Sequence, residues 1–345
     1  MHANSGRFLG TRRRSLLAHT HGWASPRCSR RGARGGVAIR RSLNYVGLLI
    51  GVLGVVFVTR EIVRQRAEVA SILAAADTRI VWLAFPVALL SMTAIGLGWR
   101  RCIMLLGEHP RVIPSLQQYF VGQLGKYVPG GIWPVVGRAE MARRGGVAAA
   151  TAYGSTMLSL FFTYLAAVVL VSASAAAGTG LAVELRLALM MIVPVGLAAL
   201  HPRVLELVLS TLRRLSGKRL ELVIPPWGRS VTLMLAHVPA WLGISTATWI
   251  LAVSLGPISV ADLPNLVFAT TLSWAVGFAA VGVPGGIGVR EAVFVATATS
   301  MSSSAEAATV AVAARLLFVV VDLAGAGLLT ATARRDRQVR DRRAR

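Results

Sequence analysis

Lysine is nearly absent from this chain and carboxylates are few. Two Lys, Lys126 and Lys218, stand among 37 basic residues, and only 14 acidic residues face them across 345 positions. The loops offer Glu61, Glu68, Asp77, Glu108, Glu140, Glu206 and Glu221, with no paired acidic motif of the kind that lipid-phosphate group transfer uses. Cysteine is limited to Cys28 and Cys102, one in a basic tail and one beside Arg100 and Arg101. That spacing gives neither a disulfide framework nor a metal site. His237 is a lone polar group beside Pro239, better placed for a hydrogen bond within a helix bundle than for metal ligation. No G-x-x-x-x-G-K-[ST] phosphate loop occurs, so any movement of cargo is passive or coupled to an ion or the membrane potential. No catalytic residue, metal or cofactor is expected, and the chain is not expected to be an enzyme.

Long uncharged blocks are what the sequence has in abundance. Hydrophobic residues make up 55% of it, and the mean hydropathy is +0.63. Crossing the hydrocarbon core takes about 20 helical residues. The candidate spans are 43–59, 80–99, 150–177, 182–200, 231–254, 265–283, 289–300 and 309–332, of which 289–300 is short for a crossing. Residues 1–41 hold ten Arg and no acid, and 334–345 hold seven Arg and two Asp. These tails fit the enrichment of basic residues on the cytoplasmic side and attraction to anionic headgroups, and without interleaved aromatics they do not suggest nucleic acid. The expected organisation is a basic disordered cytoplasmic tail (1–41), a polytopic membrane domain (42–332) and a second basic cytoplasmic tail (333–345). The fold class is an all-α membrane protein of about eight transmembrane helices in the plasma (inner) membrane, with both termini cytoplasmic. Trp82, Trp99, Trp241 and Trp249 lie toward span ends, as interfacial aromatics do.

Two regions do not read as ordinary spans. Ile113, Leu116, Phe120 and Leu124 recur at helical spacing, but Gln117, Gln118 and Gln123 interrupt them, and Pro114 and Pro129 bracket them. Fifteen residues from Pro to Pro reach about 22 Å as helix, which predicts a re-entrant or interfacial segment. In 201–223, Val204, Val208, Leu212 and Leu215 form an apolar stripe beside Arg213, Arg214 and Lys218, which predicts an amphipathic helix on the cytoplasmic leaflet.

A short phrase recurs 155 residues apart. Lys126-Tyr-Val-Pro129-Gly130-Gly131-Ile132 is followed by Arg138 and Glu140. Val283-Pro284-Gly285-Gly286-Ile287-Gly288 is followed by Arg290 and Glu291. Proline removes a backbone donor and stops a helix, and paired glycines permit positive φ and close backbone approach. Broken helices at matching positions in two halves of a membrane protein point to a binding site. Free N–H groups where each helix resumes, with Lys126, Arg138 and Arg290 nearby, suit a phosphate. In the last span Arg315 and Asp322 share a face. A charge such as Asp322 near the middle of a span seldom points at lipid, so Arg315, Asp322, Arg290 and Glu291 are expected to form one polar cluster in the bundle interior.

GQLGKYVPGGIWPVVGRAEMARRGG and VGVPGGIGVREAV together resemble the lysylphosphatidylglycerol synthase transmembrane-region family, the flippase-like integral membrane proteins. The resemblance implies re-entrant or broken helices around the two Pro-Gly-Gly motifs. It matches the family pattern at Lys126, Pro129, Gly130, Gly131, Arg138, Pro284, Gly285, Gly286, Gly288, Arg290 and Glu291. The soluble aminoacyl-transferase domain of the bifunctional members is expected to be absent. The function implied is binding or translocation of a phosphate-bearing lipid (phospholipid, glycolipid or polyprenyl-phosphate-linked) between leaflets. The partners are membrane lipids, with a separate synthase or glycosyltransferase as a candidate. A membrane scaffold for such a synthase and an integral-membrane lipid-phosphate-dependent transferase stand as alternatives.

Overall fold

A computed structural model of the chain describes residues 56–57, 59–60, 63–128, 132–177, 182–204, 206–207, 210, 226–280 and 283–343, with side chains to Arg335 apart from Ala199. The expected 1–41 tail, nearly all of the 43–59 span, the Pro129-Gly130-Gly131 phrase and most of the 201–223 stripe lie outside the described residues. What is described is helical. In chain order the helices are α1 (Arg66–Ala75), α2 (Thr78–Leu105), α3 (Val112–Gln123), α4 (Trp133–Arg144), α5 (Ala149–Ala176), α6 (Val183–Ala199), α7 (Trp227–Leu235), α8 (Val238–Leu255), α9 (Leu263–Ala279), α10 (Val289–Thr297) and α11 (Ser304–Arg343).

Local chemistry sets the boundaries. Asp77 caps α2, its Oδ1 accepting the Arg79 N–H at 2.9 Å. Gly107 and Gly146, at φ 93° and 98°, turn the chain after α2 and α4 in a conformation that a Cβ would strain. Pro134 opens α4 and Pro239 opens α8, where a missing N–H is harmless. Ser303 Oγ accepts the Glu306 N–H at 3.1 Å and starts α11.

Among the described residues, four stretches are long and apolar enough to cross a membrane: Thr78–Leu105, Ala149–Ala176, Trp227–Leu255 and Ser304–Arg335. The candidate span at 289–300, short for a crossing, holds only a short helix. α10 has nine residues and reaches only about 14 Å, so it is the second arm of a hairpin with α9. The expected short segment at 113–132 is likewise an arm: α3 folds back on α4. The helix of the last span continues through Arg343 with no break at 332.

In lipid, apolar burial drives helix association weakly, and close packing of small residues does more. The interior follows that rule. A Cβ on Gly98 would run into the His237 ring, one on Gly243 into Ser91, and one on Gly325 into Phe120. α2 lies along α8 over most of its length, with α5 and α11 on either side. Trp99 is fully buried and Trp241 is 3% exposed, so neither sits in an interfacial belt. Their indoles are core material: Trp241 Nε1 donates to the Thr163 carbonyl at 2.8 Å and its ring meets Trp274 edge-on, while Trp99 lies beneath the Arg138 guanidinium. Trp82, near the start of α2, is 75% exposed. His237 is buried with Nδ1 2.7 Å from the Leu233 carbonyl, a bond within the bundle.

Candidate functional site

The site forms where the chain breaks between the arms of the two hairpins. After α3 a single tight turn, Leu124–Tyr127, carries Lys126. Between α9 and α10 a second turn, Pro284–Gly286, carries the second Pro-Gly-Gly. The two turns touch. A Cβ on Gly285 would lie 3.5 Å from the Lys126 carbonyl oxygen and 3.3 Å from Arg315 Nη2. Gly285, Gly286 and Gly288 have φ of 56°, 66° and 80°, the freedom expected of this phrase. Gly286 is needed for closeness as well, since a Cβ there would stand 2.6 Å from the Gly277 carbonyl oxygen.

Two ion pairs tie α11 to these turns. Arg315 Nη1 donates to Glu291 Oε1 at 2.5 Å, and Arg315 Nη2 reaches the Gly285 carbonyl at 3.4 Å. The other Glu291 oxygen accepts the Gly288 N–H at 2.6 Å, closing the start of α10. Lys126 Nζ lies 2.6 Å from Asp322 Oδ2, a charge contact off the best hydrogen-bonding direction, and Tyr127 Oη donates to the same oxygen at 2.7 Å. Asp322 is fully buried, and its Oδ1 has no partner among the described residues. Arg315 and Asp322 therefore share the expected cluster without bonding each other. Seven residues of helix separate them by two turns, and each takes its partner from a different hairpin.

Arg290 is the exception to this pairing. Its guanidinium stacks on Trp274, 3.6 Å from the ring centroid, with no carboxylate within ion-pair distance and no partner for Nε among the described residues. Among the described residues three cations, Lys126, Arg290 and Arg315, thus face two carboxylates, Glu291 and Asp322, leaving one positive charge uncompensated. It borders a cavity of about 240 Å³ lined by Lys126, Trp274, Gly277, Gly285, Gly286 and Arg290, with Gln123, Ile132, Pro134, Phe278, Ala280 and Val283. That volume falls below the ~300–1,000 Å³ of sites for drug-sized ligands.

Arg138 stands beside this cavity. It is 4% exposed, donates from Nη2 to Gln123 Oε1 at 3.1 Å, and lies 4.7 Å over the Tyr119 ring and 5.5 Å from that of Trp99. It lines a smaller space of about 70 Å³ that shares Gln123, Pro134, Trp274 and Phe278 with the main cavity. Glu140 is corrected: it lies outside both spaces, two residues past Arg138 and turned away by helical rotation. Its carboxylate bridges Arg143 (2.8 Å) and Arg144 (3.0 Å), whose hydrogen bonds hold it well below the usual range, at about 2. Of the remaining expected residues, Pro284 begins the second turn, and Pro129, Gly130 and Gly131 lie outside the described residues.

Sequence reasoning passed over Tyr127, Trp274, Tyr119 and Gln123. Tyr127 sits inside the quoted phrase next to Lys126, and Trp274 falls in mid-span, where a Trp has no interface to anchor. Both positions were signals.

The architecture is that of a helical membrane protein with a cationic cavity where two hairpins meet. The chain belongs to the family described as the lysylphosphatidylglycerol synthase TM region, which matches residues 44–325. No individual curated protein matches the chain.

Proposed function

We propose that the protein binds the phosphate of an anionic lipid headgroup in the cavity beside Arg290 and carries the lipid between leaflets of the plasma membrane, without catalysing a covalent step. The observation that carries this reading is the uncompensated Arg290 guanidinium bordering the cavity at the junction of the two turns. A buried charge without a counter-ion is unfavourable, and an incoming phosphate would relieve it. Net positive charge favours an anionic headgroup over a zwitterionic one. Lys126 would add a second donor, and the glycine turn lets the backbone approach the phosphate oxygens. Acyl chains would stay in hydrocarbon.

In this reading the two hairpins are re-entrant and both termini are cytoplasmic. The basic connections around 100–149 and 201–230 support this, as does the nearly uncharged 255–264 connection, which puts the two hairpins on opposite faces. Non-helical backbone at membrane depth is tolerated where it lines a cavity, as the second turn does here. A scaffolding role beside a synthase predicts no dependence on Arg290.

The test is a leaflet-accessibility assay in proteoliposomes with fluorescent phosphatidylglycerol in phosphatidylcholine. Wild-type protein is expected to expose the probe faster than empty vesicles, and Arg290→Gln to lose most of that gain. Wild-type rates equal to empty vesicles for every phosphate-bearing lipid tried would remove the proposal.

A further inference from the structure

Besides the main cavity, Arg290 borders a small space of about 20 Å³ where α8, α9, α10 and α11 meet. Thr248, Thr270, Ser273 and Glu291 give this space a polar lining, and all four are buried, at 1, 2, 3 and 6% exposure. Ala311 and Ala314 form its α11 side, where short side chains leave the room. A water molecule needs ~10–15 Å³ of such volume and roughly two to four polar partners. The space therefore holds one water and little more.

Hydrogen bonding is uneven around this lining. Thr248 Oγ1 donates to the Ile244 carbonyl at 3.0 Å, and Ser273 Oγ donates to the Thr270 carbonyl at 2.8 Å. Glu291 spends one oxygen on Arg315 and the other on the Gly288 N–H. Two atoms are left over. Thr270 Oγ1 and Arg290 Nε are both buried, and neither has a partner among the described residues. Buried polar atoms are nearly always hydrogen-bonded, to protein or to ordered water. The two sit on facing arms of one hairpin. Thr270, Trp274 and Gly277 share a face of α9 at helical spacing. A Cβ on Gly277 would run into Arg290 Cγ, and the guanidinium lies on Trp274, so the side chain enters over Gly277 and crosses the ring. Thr270 is one turn further along the same face.

We infer that this space binds one ordered water, which accepts the Arg290 Nε–H and is hydrogen-bonded to Thr270 Oγ1, and that Thr270 is thereby a positioning residue for the guanidinium. The role in transport rests on the lipid reading above, whereas the water site does not. Attraction to the Trp274 ring holds the cation over the indole but has no preferred direction within the ring plane. A hydrogen bond at Nε is directional and fixes which edge of the guanidinium faces the small space. The terminal Nη groups then remain for the phosphate in the main cavity, in the fork that matches its oxygens. The same hydroxyls suit a sodium ion, but Arg290 Nε can only donate, so a cation would leave it unmet and stand beside a like charge. An anion would face the Glu291 carboxylate. Water meets both unpartnered atoms without adding charge.

The experiment uses the full chain in the proteoliposome assay over a range of fluorescent phosphatidylglycerol contents, together with an electron cryomicroscopy map fine enough to show ordered water. Thr270→Val, of nearly the same size but without the hydroxyl, should raise the half-saturating probe content about fivefold, the loss of one neutral hydrogen bond, with maximal rate and melting temperature near wild type. Thr270→Ser keeps the hydroxyl and should stay within about twofold of wild type. Exchanging sodium for potassium should change nothing, and the map should show a peak in hydrogen-bonding reach of both Arg290 Nε and Thr270 Oγ1. Thr270→Val matching wild type, Thr270→Ser as impaired as Thr270→Val, or transport that stops without sodium would overturn the inference. A wild type that moves no lipid would remove the lipid reading alone, and the map would then decide the water: a peak upholds the site and an empty space overturns it. Should Thr270→Val fail to fold, Thr270→Ser and the map decide in the same way.

Discussion

Replacing Asp322 by Asn is expected to destabilise the folded protein by about 3–5 kcal/mol, the usual range for removing one partner of a buried ion pair. Asp322 is fully buried, with Lys126 Nζ 2.6 Å away and Tyr127 Oη 2.7 Å away on one oxygen. At that separation and an effective dielectric constant of about 20, the charge attraction is roughly 6 kcal/mol, much of it offset by the desolvation of both groups. The amide would keep a partner for Tyr127 but strand the ammonium in the bundle beside Arg290 and Arg315. Removing both charges in Asp322→Asn/Lys126→Met should recover most of the loss, because an apolar replacement of a buried pair is often neutral. The assay is denaturant unfolding in detergent micelles followed by tryptophan fluorescence, run as a double-mutant cycle. A loss under ~1 kcal/mol for Asp322→Asn, or a double variant no more stable than that single one, would refute the reasoning.

Other outcomes follow from the geometry. Gly277→Ala places a methyl against the Arg290 side chain and should cost about 1–3 kcal/mol while displacing the guanidinium, seen as lowered melting temperature and lowered lipid transport. Gly286→Ala adds a positive-φ penalty to a clash with the Gly277 backbone and should be at least as damaging in the same two measurements. Trp274→Leu keeps the volume apolar but removes the platform under Arg290, and should weaken lipid transport in the proteoliposome assay by the ~0.5–2 kcal/mol of a cation–π contact, roughly 2- to 30-fold. Glu140 is held at about 2 from an ordinary value of 4.5, so its contribution is present above the ordinary value and lost only as pH falls through about 2. Melting curves from pH 7 to 5 should therefore coincide in shape for wild type and Glu140→Gln; a Glu140-dependent drop in that window would contradict the assignment.

Some of the architecture was legible because a single local force sets it. Hydropathy located 150–177 against an observed Ala149–Ala176 and 182–200 against Val183–Ala199, since apolar length fixes a helix in lipid wherever its neighbours lie. That 113–132 holds only a short helix, the twelve residues of α3, was legible from its prolines and glutamines. The shortness of 289–300 was legible too, but not that its helix packs against α9. The same reasoning misjudged Trp99 and Trp241, for position in a span does not tell which face is covered by protein.

Residue types alone determined that this chain enters the bilayer, that the chain breaks helix at the Pro284-Gly285-Gly286 phrase, and that charges such as Arg290, Glu291, Arg315 and Asp322 must turn inward, because the free energy of a charge in hydrocarbon is large whatever the fold. Only the tertiary structure decided who pairs with whom. Lys126 reaches Asp322 across 196 positions of sequence, Arg315 takes Glu291, and Arg290 is left on Trp274 without a carboxylate. Ion pairing depends on the last few ångströms between side chains, and those distances are set by how two hairpins and α11 pack, which no local pattern encodes.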